Sequence, residues 1–76
     1  MWIYIERENT GLNLDHVVKL FVEVTGSGAA LKAEMSGGKT LMVGYYPDKP
    51  SATDALARIL GQQESGAALV RLGPEG

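Results

Sequence analysis

The sequence predicts an α+β fold: an antiparallel β-meander of four or five strands, with one helix after the meander packed on one face. Three observations carry this. Two apolar segments alternate with period two around Gly26-Ser27. A third alternating segment follows Ser36-Gly37-Gly38. A stripe at helical spacing begins just after Pro47 and Pro50. The whole chain, residues 1–76, reads as a single domain.

The first strand is expected at residues 2–7, with Ile3 and Ile5 on one side and Trp2 and Tyr4 on the other. Asn9-Thr10-Gly11 reads as a turn, Leu12-Asn13-Leu14 as a short extended piece, and Asp15-His16 as a tight corner. The second strand, 17–25, places Val18, Leu20, Val22 and Val24 on one face and Lys19, Phe21 and Glu23 on the other. A two-residue loop at Gly26-Ser27 suits a type II′ turn. It sets Val24 opposite Ala29, Val22 opposite Leu31, Leu20 opposite Ala33 and Val18 opposite Met35, with Lys19 facing Glu34 on the other side. A slip of one residue would oppose apolar to polar side chains along the whole pair.

The third strand is expected at 28–35 and the fourth at 39–46. A two-residue Gly-Gly loop between them would oppose Glu34 to Leu41. A three-residue loop ending with Gly38 in the left-handed region keeps the faces in phase. It sets Ala33 opposite Leu41, Leu31 opposite Val43 and Ala29 opposite Tyr45. The helix is expected at 51–64, with Ser51 and Asp54 in a capping-box spacing, Ala55, Leu56, Ile59 and Leu60 as anchors, Asp54 and Arg58 as an outer pair, and Gly66 as terminator. The tail spans 67–76. Its apolar part, 67–72, reads as an extra strand, a continuing helix being the alternative, and Gly73-Pro74-Glu75-Gly76 as a frayed end.

Composition narrows the function classes. The 76 residues include no cysteine and one histidine, so neither a disulfide framework nor a Cys- or His-rich metal site is available. A domain this short buries only about 60% of the surface its unfolded chain exposes. Seven Lys and Arg against nine Asp and Glu give a net charge of −2, which is no footprint for nucleic acid. No apolar run reaches the length of a membrane helix, and the opening Met1-Trp2-Ile3-Tyr4-Ile5-Glu6 lacks the basic start and long apolar stretch of a signal peptide. A soluble cytoplasmic protein with no cofactor and no membrane partner is the expectation.

Two motifs suggest chemistry and have simpler readings. Ala33-Glu34-Met35-Ser36-Gly37-Gly38-Lys39-Thr40 fits a relaxed phosphate-loop spelling, but such a loop needs a helix after it, and Leu41, Val43 and Tyr45 alternate as a strand. It reads as a hairpin turn. Asp15-His16 is not an acid–base pair, because neighbours in sequence rarely face each other. It reads as a corner in which Asp15 bonds the local backbone. No carboxylate pair, metal cluster or nucleophile–base set stands out, so a non-enzymatic protein is expected.

The remaining signal is a face. Opposite the expected core of Val18, Leu20, Val22, Leu31, Val43 and Tyr45, five apolar residues fall together: Trp2, Tyr4, Phe21, Met42 and Tyr46, among Lys19, Lys32, Glu23 and Glu34. An apolar patch with a charged rim marks a contact surface. Self-association is the leading reading, as a dimer or larger homo-oligomer, and cover of these residues by the chain's own N-terminal loop or C-terminal tail is the second. Binding of another protein, or of single-stranded nucleic acid or a small ligand through the aromatic face, is the alternative.

The run Met1-Trp2-Ile3, Gly11, then Leu12-Asn13-Leu14-Asp15-His16-Val17, followed by Gly44-Tyr45-Tyr46 and the helix, resembles a group of small bacterial proteins of unknown function. They share an opening strand, an Asn-x-Asp-x-Val corner, a meander and a closing helix. The chain is also distantly similar to small flagellar proteins of the FlbD type. The resemblance covers roughly residues 1–62 and implies the fold and a bacterial or phage source, with no catalytic residues. The insert from Pro47 to Pro50 departs from the tight join of that group.

Overall fold

A computed structural model of the chain describes residues 1–72. Over these residues the fold is α+β, with six strands in two three-stranded sheets. In chain order they are β1 (Trp2–Ile5), β2 (Thr10–Asn13), β3 (Val17–Val24), β4 (Ala29–Met35) and β5 (Thr40–Tyr46), then helix α1 (Lys49–Glu64) and β6 (Leu69–Leu72). The expected frayed end at 73–76 lies outside the described residues. No helix among them is long and apolar enough to cross a membrane.

The first strand does not join the meander, contrary to the expected single meander of four or five strands. β1 is the centre of its own sheet, with order β2-β1-β6. It ends at Ile5 because Glu6–Glu8 turn as a 3₁₀ helix, closed by Asn9 at φ 50°, whose N–H bonds the Glu6 carbonyl at 3.2 Å. The chain then returns antiparallel, with Ile3 beside Leu12. β6 pairs parallel to β1 on its other side, with Ile3 beside Val70 and Ile5 beside Leu72. The tail therefore supplies a strand, and residues distant in sequence complete the sheet.

The corner after β2 is a second 3₁₀ turn, Leu14–His16. Its organiser is Asn13, whose Oδ1 accepts from the Asp15 N–H at 3.0 Å. Asp15 was expected to hold this corner with its side chain. Its carboxylate is instead exposed, 3.9 Å from the Met1 amino group.

The meander β3-β4-β5 has the expected first register from Val24 and Ala29 through Lys19 and Glu34. It then slips. Val17 pairs with Met35 while Lys19 pairs with Glu34, so Val18 is left over as a bulge and is 63% exposed. The cause lies at the corner. The His16 carbonyl accepts from Ser36 N–H at 2.8 Å, a register one residue out of step with the hairpin end. The β3–β4 turn closes with Thr25 N–H on the Gly28 carbonyl at 2.8 Å. Gly26 does not take the left-handed φ of a type II′ turn. The Thr25 hydroxyl accepts from Ser27 N–H instead.

The second turn is the three-residue loop expected, with Gly38 at φ 91° and Met35 N–H on the Lys39 carbonyl at 2.7 Å. Strand β5 then carries its own bulge. Lys32 pairs with Met42 but Leu31 pairs with Gly44, so Val43 is the extra residue. Glycine in a strand interior marks such a site. From there to the end of β5 the faces exchange. Tyr46, expected on the outer surface, is buried in the core, and Tyr45, expected in the core, faces out.

Helix α1 begins two residues earlier than expected. Asp48, not Ser51, is its N-cap, accepting from Ser51 N–H at 2.9 Å, and Pro50 sits in the first turn, where its missing N–H costs nothing. This backbone N–H, followed by the Ser51 side chain, holds the Asp48 carboxyl below its usual range. At the other end Gly66 takes φ 84°. Ala67 N–H bonds the Gln62 carbonyl and Gly66 N–H the Gln63 carbonyl, a Schellman closure. Ala52, Ala55 and Ile59 are buried, Leu56 partly so. Leu60, expected as an anchor, is exposed.

The helix packs on β3, β4 and β5. Ile3, Ile5, Leu12, Leu14, Val70 and Leu72 of the first sheet join Ala29, Leu31, Ala33, Val43 and Tyr46 of the meander and the buried face of α1 in one apolar cluster. The core is thus shared by both sheets.

Candidate interaction surface

The two sheets divide the five expected contact residues. Trp2 and Tyr4 stand on the outer face of the first sheet. Phe21 and Met42 stand on the meander, either side of Lys32 in one cross-strand row. Tyr46 belongs to the core, so it is not a surface residue. The single aromatic face does not exist, because β1 pairs with β2 and β6 rather than with the meander.

The meander's outer row is largely matched within itself. Lys19 Nζ lies 5.1 Å from the Phe21 ring centroid, a cation–π distance, and Lys32 Nζ bonds Glu23 at 2.5 Å. Phe21 is half-buried there, while Met42 remains exposed. Tyr45 anchors the neighbouring hairpin. Its hydroxyl bonds Ser27 Oγ at 2.5 Å and Thr25 Oγ1 at 3.1 Å, and those two bonds hold the phenol below its ordinary pKa.

The first sheet's outer face is more open. The pairing sets Trp2 between Asn13 and Leu69, and Tyr4 between Gly11 and Arg71. The Trp2 ring leans over Gly11, where a side-chain carbon would meet it at 3.5 Å. The Tyr4 hydroxyl donates to Asn9 Oδ1 at 2.8 Å, and the Arg71 guanidinium lies 5.5 Å from the Tyr4 ring centroid. Trp2 is 50% exposed and Leu69 48%. Together Trp2, Ile3, Tyr4, Gly11, Leu69 and Arg71 line a cavity of about 450 Å³. A second hollow, about 350 Å³, continues past the sheet edge between β6 and α1, lined by Arg58, Gln62, Leu69, Val70 and Arg71.

Leu69 and Arg71 were not among the sequence-predicted site residues. Their signal was present, since Leu69 and Arg71 alternate with Val70 and Leu72. What was missing was the knowledge that this strand lies beside Trp2 and Tyr4. Arg58 and Arg71 make no ion pair among the described residues, and the expected Asp54–Arg58 pair is not formed.

The chemical motifs resolve as turns. Lys39 and Thr40 lead into strand β5, not into a helix. His16 is exposed at the end of the second 3₁₀ turn. Among the described residues no group of three His, Cys, Asp or Glu side chains is placed to hold a metal ion.

Compared with known proteins, the chain matches no family model, no curated protein and no solved structure.

Proposed function

We propose that this chain is a small non-enzymatic protein that works by protein–protein contact through the outer face of its first sheet. The observation that carries this reading is the adjacency of Trp2 and Leu69. They are register partners on β1 and β6, each about half exposed, with Tyr4 and Arg71 as the next pair. Tryptophan, tyrosine and arginine dominate the energetic centres of protein interfaces. A large apolar pair left in solvent on a domain this small has its simplest use in contact.

Self-association through the meander's outer face is the second reading. It is favoured by exposed Met42 in one row with half-buried Phe21.

The test is site-specific photocrosslinking in the cell that makes the protein. A photoreactive amino acid at Leu69 is expected to trap a polypeptide, and one at Thr53 on the exposed side of the helix is expected not to. Adducts of twice the chain's mass, formed from position 42, assign the second reading. Equal yields at 69 and 53, or none at 69, overturn the first.

A further inference from the structure

Two arginines without carboxylate partners among the described residues flank a free strand edge. β6 is the last strand of its sheet. In a parallel pair, alternate residues bond the neighbouring strand. Trp2 N–H bonds the Ala68 carbonyl at 2.9 Å, which sets the phase. The backbone groups of Val70 and Leu72 therefore point to β1, and those of Leu69 and Arg71 point to the open edge. That edge borders the hollow lined by Arg58 and Gln62 of α1. Arg58 and Gln62 stand four apart, on one flank of the helix.

From this juxtaposition we propose that the β6 edge is the seam on which an extended, acidic segment of a partner protein adds as a fourth strand of the first sheet. Main-chain bonds to Leu69 and Arg71 supply the pairing. Arg58 and Arg71 receive the carboxylates, and alternate side chains of the incoming strand reach the Trp2–Leu69 hollow. The inference rests on the first sheet being the contact surface and names what it contacts.

Three comparisons favour this occupant. First, β3 and β5, the edges of the meander, both carry bulges, which twist an edge away from further pairing; the edges of the first sheet, β2 and β6, carry none, and of these two it is β6 that borders the hollow lined by Arg58 and Arg71. Second, a second copy placed edge to edge about a two-fold axis would bring Arg58 and Arg71 of both copies together, a like-charge contact that opposes self-pairing here. Third, single-stranded nucleic acid would meet a chain of net charge −2 with only two arginines at the hollow, and it would leave the main-chain groups of Leu69 and Arg71 unused.

The test uses the full chain and a blocked hexapeptide of alternating valine and glutamate. Expected are saturable binding by fluorescence anisotropy and slowed hydrogen exchange at the Leu69 and Arg71 amides. Replacing glutamate by lysine, or alternate residues by proline, abolishes both effects. Arg58→Gln with Arg71→Gln weakens binding about tenfold or more. The amide mapping on the unsubstituted chain decides the matter even where the double variant loses stability. Failure of the acidic peptide to bind at millimolar concentration overturns the proposal, as does equal binding of the lysine peptide. An oligothymidylate that binds the hollow in place of the peptide also overturns it. A crosslink at position 69 together with a peptide that fails removes this inference and leaves the contact surface standing.

Discussion

Tyr45 stands over Gly28, with its hydroxyl oxygen 3.0 Å from the point where a side-chain carbon of residue 28 would begin. The same hydroxyl bonds Ser27 and Thr25, so the first hairpin turn is held against strand β5 across the sheet. A side chain at 28 would also strike the Tyr46 carbonyl, which is backbone and cannot swing aside. Gly28→Ala is therefore expected to lower stability by about 1–3 kcal/mol, the usual cost of forced overpacking. Gly26→Ala, which meets open space, is expected to be neutral or slightly stabilising. Urea denaturation of both variants checks this. A neutral Gly28→Ala would refute the close approach.

Tyr46 is buried, and its hydroxyl has no hydrogen-bond partner among the described residues. Burial raises its pKa above 10.0, opposed in lesser measure by Arg58 and Arg7. A raised folded-state value means that the contribution to stability is full below the unfolded value and is lost as pH rises through the folded one. Tyr46→Phe is expected to be neutral or to stabilise by up to about 1 kcal/mol at neutral pH, because an unmatched hydroxyl is removed. It should also flatten the loss of stability above pH 10.0. Denaturation midpoints at pH 7 and above 10 test both arms, and a clear loss at neutral pH would show that the hydroxyl has a partner.

Asp48 caps the helix through Ser51 and has its pKa lowered from 3.8 by that bond. A lowered value means stability that is present above 3.8 and lost as pH falls through the lower folded value. Asp48→Ala should reduce the thermal midpoint at neutral pH. Asp48→Asn, which caps without titrating, should keep the midpoint and weaken its acid dependence. Thermal melts followed by helical circular dichroism across pH 2–7 compare the three chains.

Val18 and Leu72 have exchanged the roles that their neighbourhoods suggest. Val18 lies in an alternating apolar run and is exposed at a bulge. Leu72 lies in the tail and is fully buried. Leu72→Ala is expected to cost about 2–5 kcal/mol, a large part of the stability of a domain this size. Val18→Ser is expected to stay within about 0.5 kcal/mol. Equilibrium unfolding of the pair measures whether β6 belongs to the core.

Much of the meander was legible from residues near one another. Lys19 beside Glu34 and Leu20 beside Ala33 follow from alternation on either side of a two-residue turn, and Gly38 with positive φ follows from keeping Ala33 opposite Leu41. The exchange of Tyr45 and Tyr46 had a cue in Gly44, a glycine inside a strand run. It was not decisive, because a glycine there fits an ordinary pleat as well as a bulge until the partner strand is placed. The candidate surface was half legible. Trp2 and Tyr4 were found from their alternation with Ile3 and Ile5, but Leu69 and Arg71 were not.

The sequence by itself determined the α+β class, the three meander strands, the lengths of both hairpin turns and the helix with its glycine stop. These rest on periodicity and turn chemistry within a few residues, where loop closure is short and register is set from the turn outward. Only the tertiary structure decided that β1 leaves the meander and takes β6 as its parallel neighbour, with nearly the whole chain between them. It also decided where two bulges absorb the mismatch between corner and hairpin. A parallel partner has no connecting turn to fix its register. Trp2 and Leu69 are brought together by burial of Ile3, Val70 and Leu72 in the shared core, not by any local signal.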